Sequence, residues 1–194
     1  MKKKVQFLTG AVFTAMLFAA VLSCGGGAGG ETTYDIGDTG PGGGKIFYVN
    51  AAGFAVSGKG TCKYLEAAPA DISGTFAWAS GSFTSTELSC TSMDIGTGYA
   101  NTQAILKKDP NAPAADACDK YTNGGKDDWF LPSADELTAL RGKKAAIGGF
   151  AVLHYWSSSE VDAGGAWAPD FSDPPLSNLW AKTDNNKVRP IRAF

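Results

Sequence analysis

The residues of this chain whose types and spacing could do chemistry are few and scattered. Cys24 closes the stretch Val21-Leu22-Ser23-Cys24 and runs straight into Gly25, Gly26 and Gly27, a setting in which the sulfur can be lipidated. His154, the single histidine, precedes the serines Ser157, Ser158 and Ser159 and several aspartates, the ingredients of a proton relay to a hydroxyl nucleophile. Histidine and serine share one expected strand, however, and no Gly-x-Ser-x-Gly elbow presents the hydroxyl, so hydrolytic chemistry is not expected. Cys62, Cys90 and Cys118 include no Cys-x-x-Cys pair and have one histidine for company, which argues against a structural metal site. Setting Cys24 aside, these three thiols either form one of three alternative bridges and leave one unpaired, or form none.

Gly37 through Lys45, GDTGPGGGK, has the look of a phosphate loop. The pattern fails twice, because Thr39 stands where the first glycine belongs and Ile46 follows Lys45 where a magnesium-binding hydroxyl belongs. A dinucleotide fingerprint would open a helix, whereas Ile46-Phe47-Tyr48-Val49 is aromatic and β-branched and predicts a strand. Pro41 to Gly44 therefore reads as a tight turn.

The elements that must position any site follow from pattern. Strands are expected near 64–68 and 75–78, and short helices over 99–107 and 114–121. Ser133 and Glu136 spell a capping box, which predicts a helix over 134–142 with Leu137 and Leu140 facing inward. Four strands are then expected in HYWSSSE, GAWAPDFS, LWAKT and KVRPIRAF, with Asp184-Asn185-Asn186 as a turn. Arg189 and Arg192 share a face only if the last strand is bulged, and Pro190 marks an edge or a bulge. The fold class expected is α+β, a single domain with two or three short helices and an antiparallel sheet gathering the C-terminal end.

Lys2, Lys3 and Lys4 followed by a mostly apolar run to Leu22 form the charged start and greasy middle of an export signal. Small and glycine residues follow instead of the polar anchors of a spanning helix. Val21 to Cys24 resembles a relaxed bacterial lipobox, which implies cleavage after residue 23 and a diacylglycerol thioether on Cys24; two or more acyl chains anchor a protein stably. Residues 24–33 read as a glycine-rich tether and residues 34–194 as the one domain. Loss of residues 1–23 removes three of 17 basic residues and none of the 19 acidic ones, leaving five net negative charges. An acidic chain without a dense basic face is no partner for nucleic acid, and Lys107-Lys108 and Arg141, Lys143 and Lys144 read as solvated helix ends.

The ordered series GDTGPGGGKIFYV, YLEAAPAD, GTGYANTQAIL, DWFLPSADELTAL, YWSSSE, AW and VRPIRAF resembles the bacterial Lcl C-terminal domain family of collagen-like adhesins over nearly all of 34–194. That resemblance implies a C-type-lectin-like fold with a loop-rich binding face, core positions for Trp129, Trp156 and Trp167, and adhesion more than catalysis. It also brings in formylglycine-generating enzymes, but their reactive cysteines lie late in the domain and the last cysteine here is Cys118; the chain is expected not to be an enzyme. The calcium-dependent sugar motifs are missing, since Ala168-Pro169-Asp170 has alanine at the ligating position, so no metal or other cofactor is expected and Asp170 and Asp173 read as turn aspartates ahead of a weaker metal site.

Between Val161 and Trp180 an irregular segment mixes acids, prolines and aromatics, the composition of a recognition loop. Asp162, Asp170, Asp173 and Asn178 are the candidate hydrogen-bonding residues for a glycan or protein ligand, and Trp180 is either a stacking platform or core. The function expected is a lipid-anchored adhesion or binding module of the cell envelope, at the outer membrane or cell surface. The alternative is a structural envelope lipoprotein without a ligand, whose 161–180 segment would pack flat.

Overall fold

The computed structural model describes residues 32–174 and 178–194. Cys24, the signal segment, most of the tether and residues 175–177 of the candidate loop lie outside the described residues. A long hairpin opens the domain: β1 (Lys45–Val56) pairs antiparallel with β2 (Gly60–Ala67). The turn expected at Pro41–Gly44 leads into it, but β1 runs well past Val49, with register breaks between Ile46 and Tyr48 and between Val49 and Phe54 that absorb its irregular middle. Gly58 reverses the chain at φ +85°, a conformation that L side chains resist.

After a 3-10 turn at Gly81–Ser85, four α-helices follow among the described residues: α1 (Gly98–Lys108), α2 (Pro113–Asp119), α3 (Ala134–Gly142) and α4 (Lys144–Ile147). In α3 the hydroxyl of Ser133 accepts from the amide of Glu136, the Glu136 carboxylate accepts from the amide of Ser133, and Leu137 and Leu140 are buried, as the sequence predicts. Pro113 opens α2 at a position where its missing amide costs nothing. The brief α4, which the sequence reading leaves out, continues beyond α3 after a break at Lys143.

Two corrections concern the C-terminal strands. The last of them, β5 (Ile191–Ala193), does not join its sequence neighbours; it pairs with β2, giving a three-stranded antiparallel sheet of order β1-β2-β5. It is short because Pro190 has no amide to donate before it. The segments 153–160, 165–171 and 178–182 do lie side by side, but as a loose meander in which only β3 (Gly165–Trp167) and β4 (Leu179–Ala181) form a ladder. Pro169 interrupts the middle segment, and the stretch near 75–78 supplies a single bridge, Phe76 to Asn186, instead of a strand.

The interior has two centres. One lies between the sheet and α3, around Phe47, Leu65, Phe130, Leu137, Tyr155 and Ile191. The other lies under loops and the helices α1 and α2, around Trp78, Leu88, Ile105, Leu131 and Trp156. Trp129 and Trp156 are core as expected, whereas Trp167 is only half-buried. The observed class is α+β with antiparallel sheets and a few helices. Among the described residues no helix is long and apolar enough to cross a membrane. Cys90 and Cys118 are buried free thiols, and Cys62 is disulfide-bonded, so no bridge joins any two of these three.

Candidate functional site

The glycine loop that imitates a phosphate cradle does hold an anion, and the anion is the protein's own. The amides of Gly42 and Gly44 donate to the carboxylate of Glu66 at 3.1 and 2.6 Å. A side chain on Gly44 would meet the carbonyl oxygen of Ala67 at 2.0 Å, so only glycine lets the loop approach β2. Arg192, opposite Glu66 in the ladder, donates to Glu66 and to both oxygens of Asp128. Lys59 completes the cluster on Asp128 at 2.7 Å. Burial would raise the Asp128 carboxyl, but the hydrogen bonds from Arg192 and Lys59 outweigh it and hold the group down to about 2.

Arg189, which precedes β5, serves a separate cluster from Arg192. It is fully buried and donates to Asp71, to the carbonyl of Ala68 and to the carbonyl of Gly149, with its guanidinium 4.2 Å from the Phe150 ring centre. Asp71 in turn accepts from the hydroxyl of Tyr155, and that hydroxyl accepts the amide of Ala151.

A third cluster was not visible in the sequence. Lys182 is wholly buried and donates to Glu160 at 2.6 Å, to the carbonyl of Thr86 and to that of Ala163, with the Trp78 ring centre 5.0 Å away. Glu160 also accepts the amides of Leu88 and Ser89. Together the pair ties the 81–92 loop to the meander. The available signal was a lone lysine directly after the apolar run Leu179-Trp180-Ala181, which normally reads as an exposed edge.

The residues proposed for ligand binding separate when placed on this frame. Asp162 is exposed, and one of its oxygens accepts the amides of Gly164 and Gly165, closing its own turn. Asp170 is buried; it accepts from the amide and hydroxyl of Ser172 and stands 3.9 Å from His154, which corrects its assignment as a ligand contact. Asp173 is exposed but paired with Lys144 and Arg141, and Arg141 also donates to the carbonyl of Asp170. No group of three or more metal-capable side chains occurs among the described residues.

Asn178 is exposed beside Leu179, and its carbonyl accepts the amide of Ala168. Trp180 is half-buried, packed against the loop core with its ring 4.3 Å from that of His154, and its indole nitrogen has no hydrogen-bond partner among the described residues. What remains facing outward is Asn178, Leu179, Asp162 and part of the half-buried ring of Trp167, whereas Trp180, opposite buried Ala166 in the ladder, turns its ring toward the loop core. Of the serines after His154, Ser157 donates to the carbonyl of Trp167 and Ser159 to that of Ser92; all three are fully buried, out of reach of a substrate.

No family model matches the chain, and a search of curated proteins finds no match. Among solved structures the chain is similar to a fimbrial protein from Bacteroides ovatus, with a TM-score of 0.54 and 16% identity over 78% of this chain. The matched part spans 44% of the fimbrial chain, and the likeness is one of fold.

Proposed function

We propose that this chain is a lipid-anchored module displayed on the bacterial cell envelope, which binds other molecules and does not transform them. The reading takes residues 1–23 as the signal, Cys24 as the lipidated residue, 24–33 as the tether and 34–194 as an Lcl C-terminal-like domain of C-type-lectin-like fold. The observation that carries it is the way irregular loops are made rigid. Three buried charge clusters, on Glu66, Asp71 and Glu160, each fasten backbone that no ladder holds, producing a fixed irregular surface of the kind that carries recognition. The fold likeness to a fimbrial protein supports display at a surface.

The binding face in this reading is the outer side of the β3–β4 hairpin, with Asn178 and Leu179 exposed and the rings of Trp167 and Trp180 at its base. A glycan and matrix-protein array probed with the mature chain tests it. W180A together with N178A is expected to abolish the specific signal, and a signal unchanged by both substitutions overturns this face. Intact-mass measurement tests the anchor: acyl groups on an N-terminal Cys24 are expected. The bond at Cys62 counts against this anchor, because Cys90 and Cys118 are free thiols and a thioether and a disulfide cannot share one sulfur; a non-reducing digest that finds Cys24 joined to Cys62 overturns the anchor.

One observation favours the alternative of a structural envelope lipoprotein without a ligand. The acidic side chains of the 161–180 segment turn inward or pair locally, as Asp170 and Asp173 do. An array with no signal for the parent chain selects that reading.

A further inference from the structure

A buried polar atom almost always has a hydrogen-bond partner, and two of the exceptions in this domain touch each other. Nε2 of His154 and Nε1 of Trp180 are both buried without a partner among the described residues, and their rings pack at 4.3 Å between centres, tilted by 53°. A third group closes the cluster, because Oδ2 of Asp170 stands 3.9 Å from Nε2 of His154. The three residues come from three separate segments. His154 stands opposite Asp170 in a bridge, and Trp180 belongs to β4, opposite Ala166 in the ladder. The one histidine of the chain thus sits where 153–160, 165–171 and β4 meet. Its side chain is 15% exposed and that of Asp170 3%, so a proton can reach the imidazole while water solvates the pair poorly.

At 3.9 Å the imidazole nitrogen and the carboxylate do not satisfy each other. Protonation changes this, since an imidazolium donates from both ring nitrogens. A shift of about 1 Å then makes a charge-assisted hydrogen bond from Nε2 to Asp170. The same charge lies within cation–π reach of the Trp180 ring, and the neutral imidazole gains neither contact. Burial works against the charged form, but the cations on the surrounding segments are engaged elsewhere. Lys182 is bound to Glu160, Lys144 to Asp173, and Arg141 to Asp173 and the backbone carbonyl of Asp170. Lys187 bonds the His154 carbonyl through its backbone amide, and Asp184 holds the amide of Ala181. We propose that His154 is a pH-operated latch: protonated, it clasps Asp170 and the Trp180 ring and holds β4, with Asn178 and Leu179, against the meander; neutral, it lets the β3–β4 hairpin open more readily. Closing the hairpin therefore takes up a proton, and the closed form gains as the pH falls through the imidazole range of about pH 8 to 5.

Amide hydrogen exchange on the full chain tests the latch without any ligand. The amides of Ala168 and Lys182, bonded to the carbonyls of Asn178 and Gly164, report opening of the hairpin. The amide of Phe130, bonded to Ile191, reports changes common to the whole domain and shows that each variant is folded. Protection at Ala168 and Lys182, corrected for the intrinsic pH dependence of exchange, is expected to be about tenfold higher at about pH 5 than at about pH 8, beyond any change at Phe130. H154Q and D170N are each expected to abolish that excess. Glu136, whose carboxyl burial pushes up to about 7, titrates in the same window at the start of α3, and its effect survives H154Q. An excess absent from the parent chain, or one that persists in H154Q, overturns the latch. Control of binding through β4 rests on the face proposed above: the array signal is expected to be several-fold stronger at the acid pH, and equal at both in H154Q. A parent signal of equal strength at both overturns that control. An array with no signal overturns the binding reading and leaves the latch to the exchange result.

Discussion

In the sheet half of the domain, β1, β2 and β5 share a hydrogen-bond ladder over a filling of Phe47, Leu65 and Ile191. In the loop half, the segments around Trp78, Leu88 and Trp156 have almost no ladder, and the Glu160–Lys182 pair ties them together. A ladder spreads its hold over many bonds, each contributing about 1 kcal/mol net. A buried ion pair concentrates it, because losing one partner leaves an uncompensated charge away from water. The sheet half has its own charge cluster on Glu66, but that one opens to solvent through Asp128, whose side chain is 34% exposed. The partners of the Glu160–Lys182 pair are 1% and 0% exposed.

If that contrast is right, K182A is the most damaging single change, costing about 3–5 kcal/mol of unfolding free energy in chemical denaturation. Pairing K182M with E160Q is expected to recover a good part of the loss; a K182A cost no larger than a surface substitution would erase the contrast. G44A comes next, at about 2–3 kcal/mol, because its methyl group would have to displace the Ala67 carbonyl and pull the loop amides from Glu66. S133A removes half of the capping box and is expected to cost about 1 kcal/mol, measured the same way.

The smallest effect is a pH dependence. The folded Asp128 carboxyl is held at about 2, below its ordinary 3.8, so its contribution to stability is complete above 3.8 and lost as the pH falls toward 2. Thermal midpoints of the parent chain are expected to drop across that window and those of D128N to drop less, a modest difference because solvent screens the group. Identical slopes would show that the cluster on Asp128 adds nothing and that the sheet half relies on its ladder alone.

Legibility in the sequence tracked how local each interaction is. The capping box of α3 was readable because Ser133 and Glu136 satisfy each other's amides within one turn, and Leu137 and Leu140 were readable as inward from helical spacing. The glycine loop was readable as a turn into a strand, but its carboxylate partner, Glu66, lies 22 residues from Gly44 and left no local trace. Asp170 looked like a binding residue because acids beside prolines usually sit on exposed turns; its burial comes from Ser172 and His154 closing over it. Trp78 belongs to the core although its segment forms no strand, since its indole nitrogen donates to the carbonyl of Ser157, 79 residues away.

By itself, the sequence determined the α+β character, the turn that leads into β1 and the start of α3. These follow from composition, propensity and contacts within a few residues. Only the tertiary structure decided that β5 completes the N-terminal hairpin, that Lys182 is buried, and that His154 lies between Asp170 and Trp180. Each of those depends on which distant segment supplies a partner for a charge or an unpaired backbone group, and desolvation enforces that choice only once the chain has closed on itself.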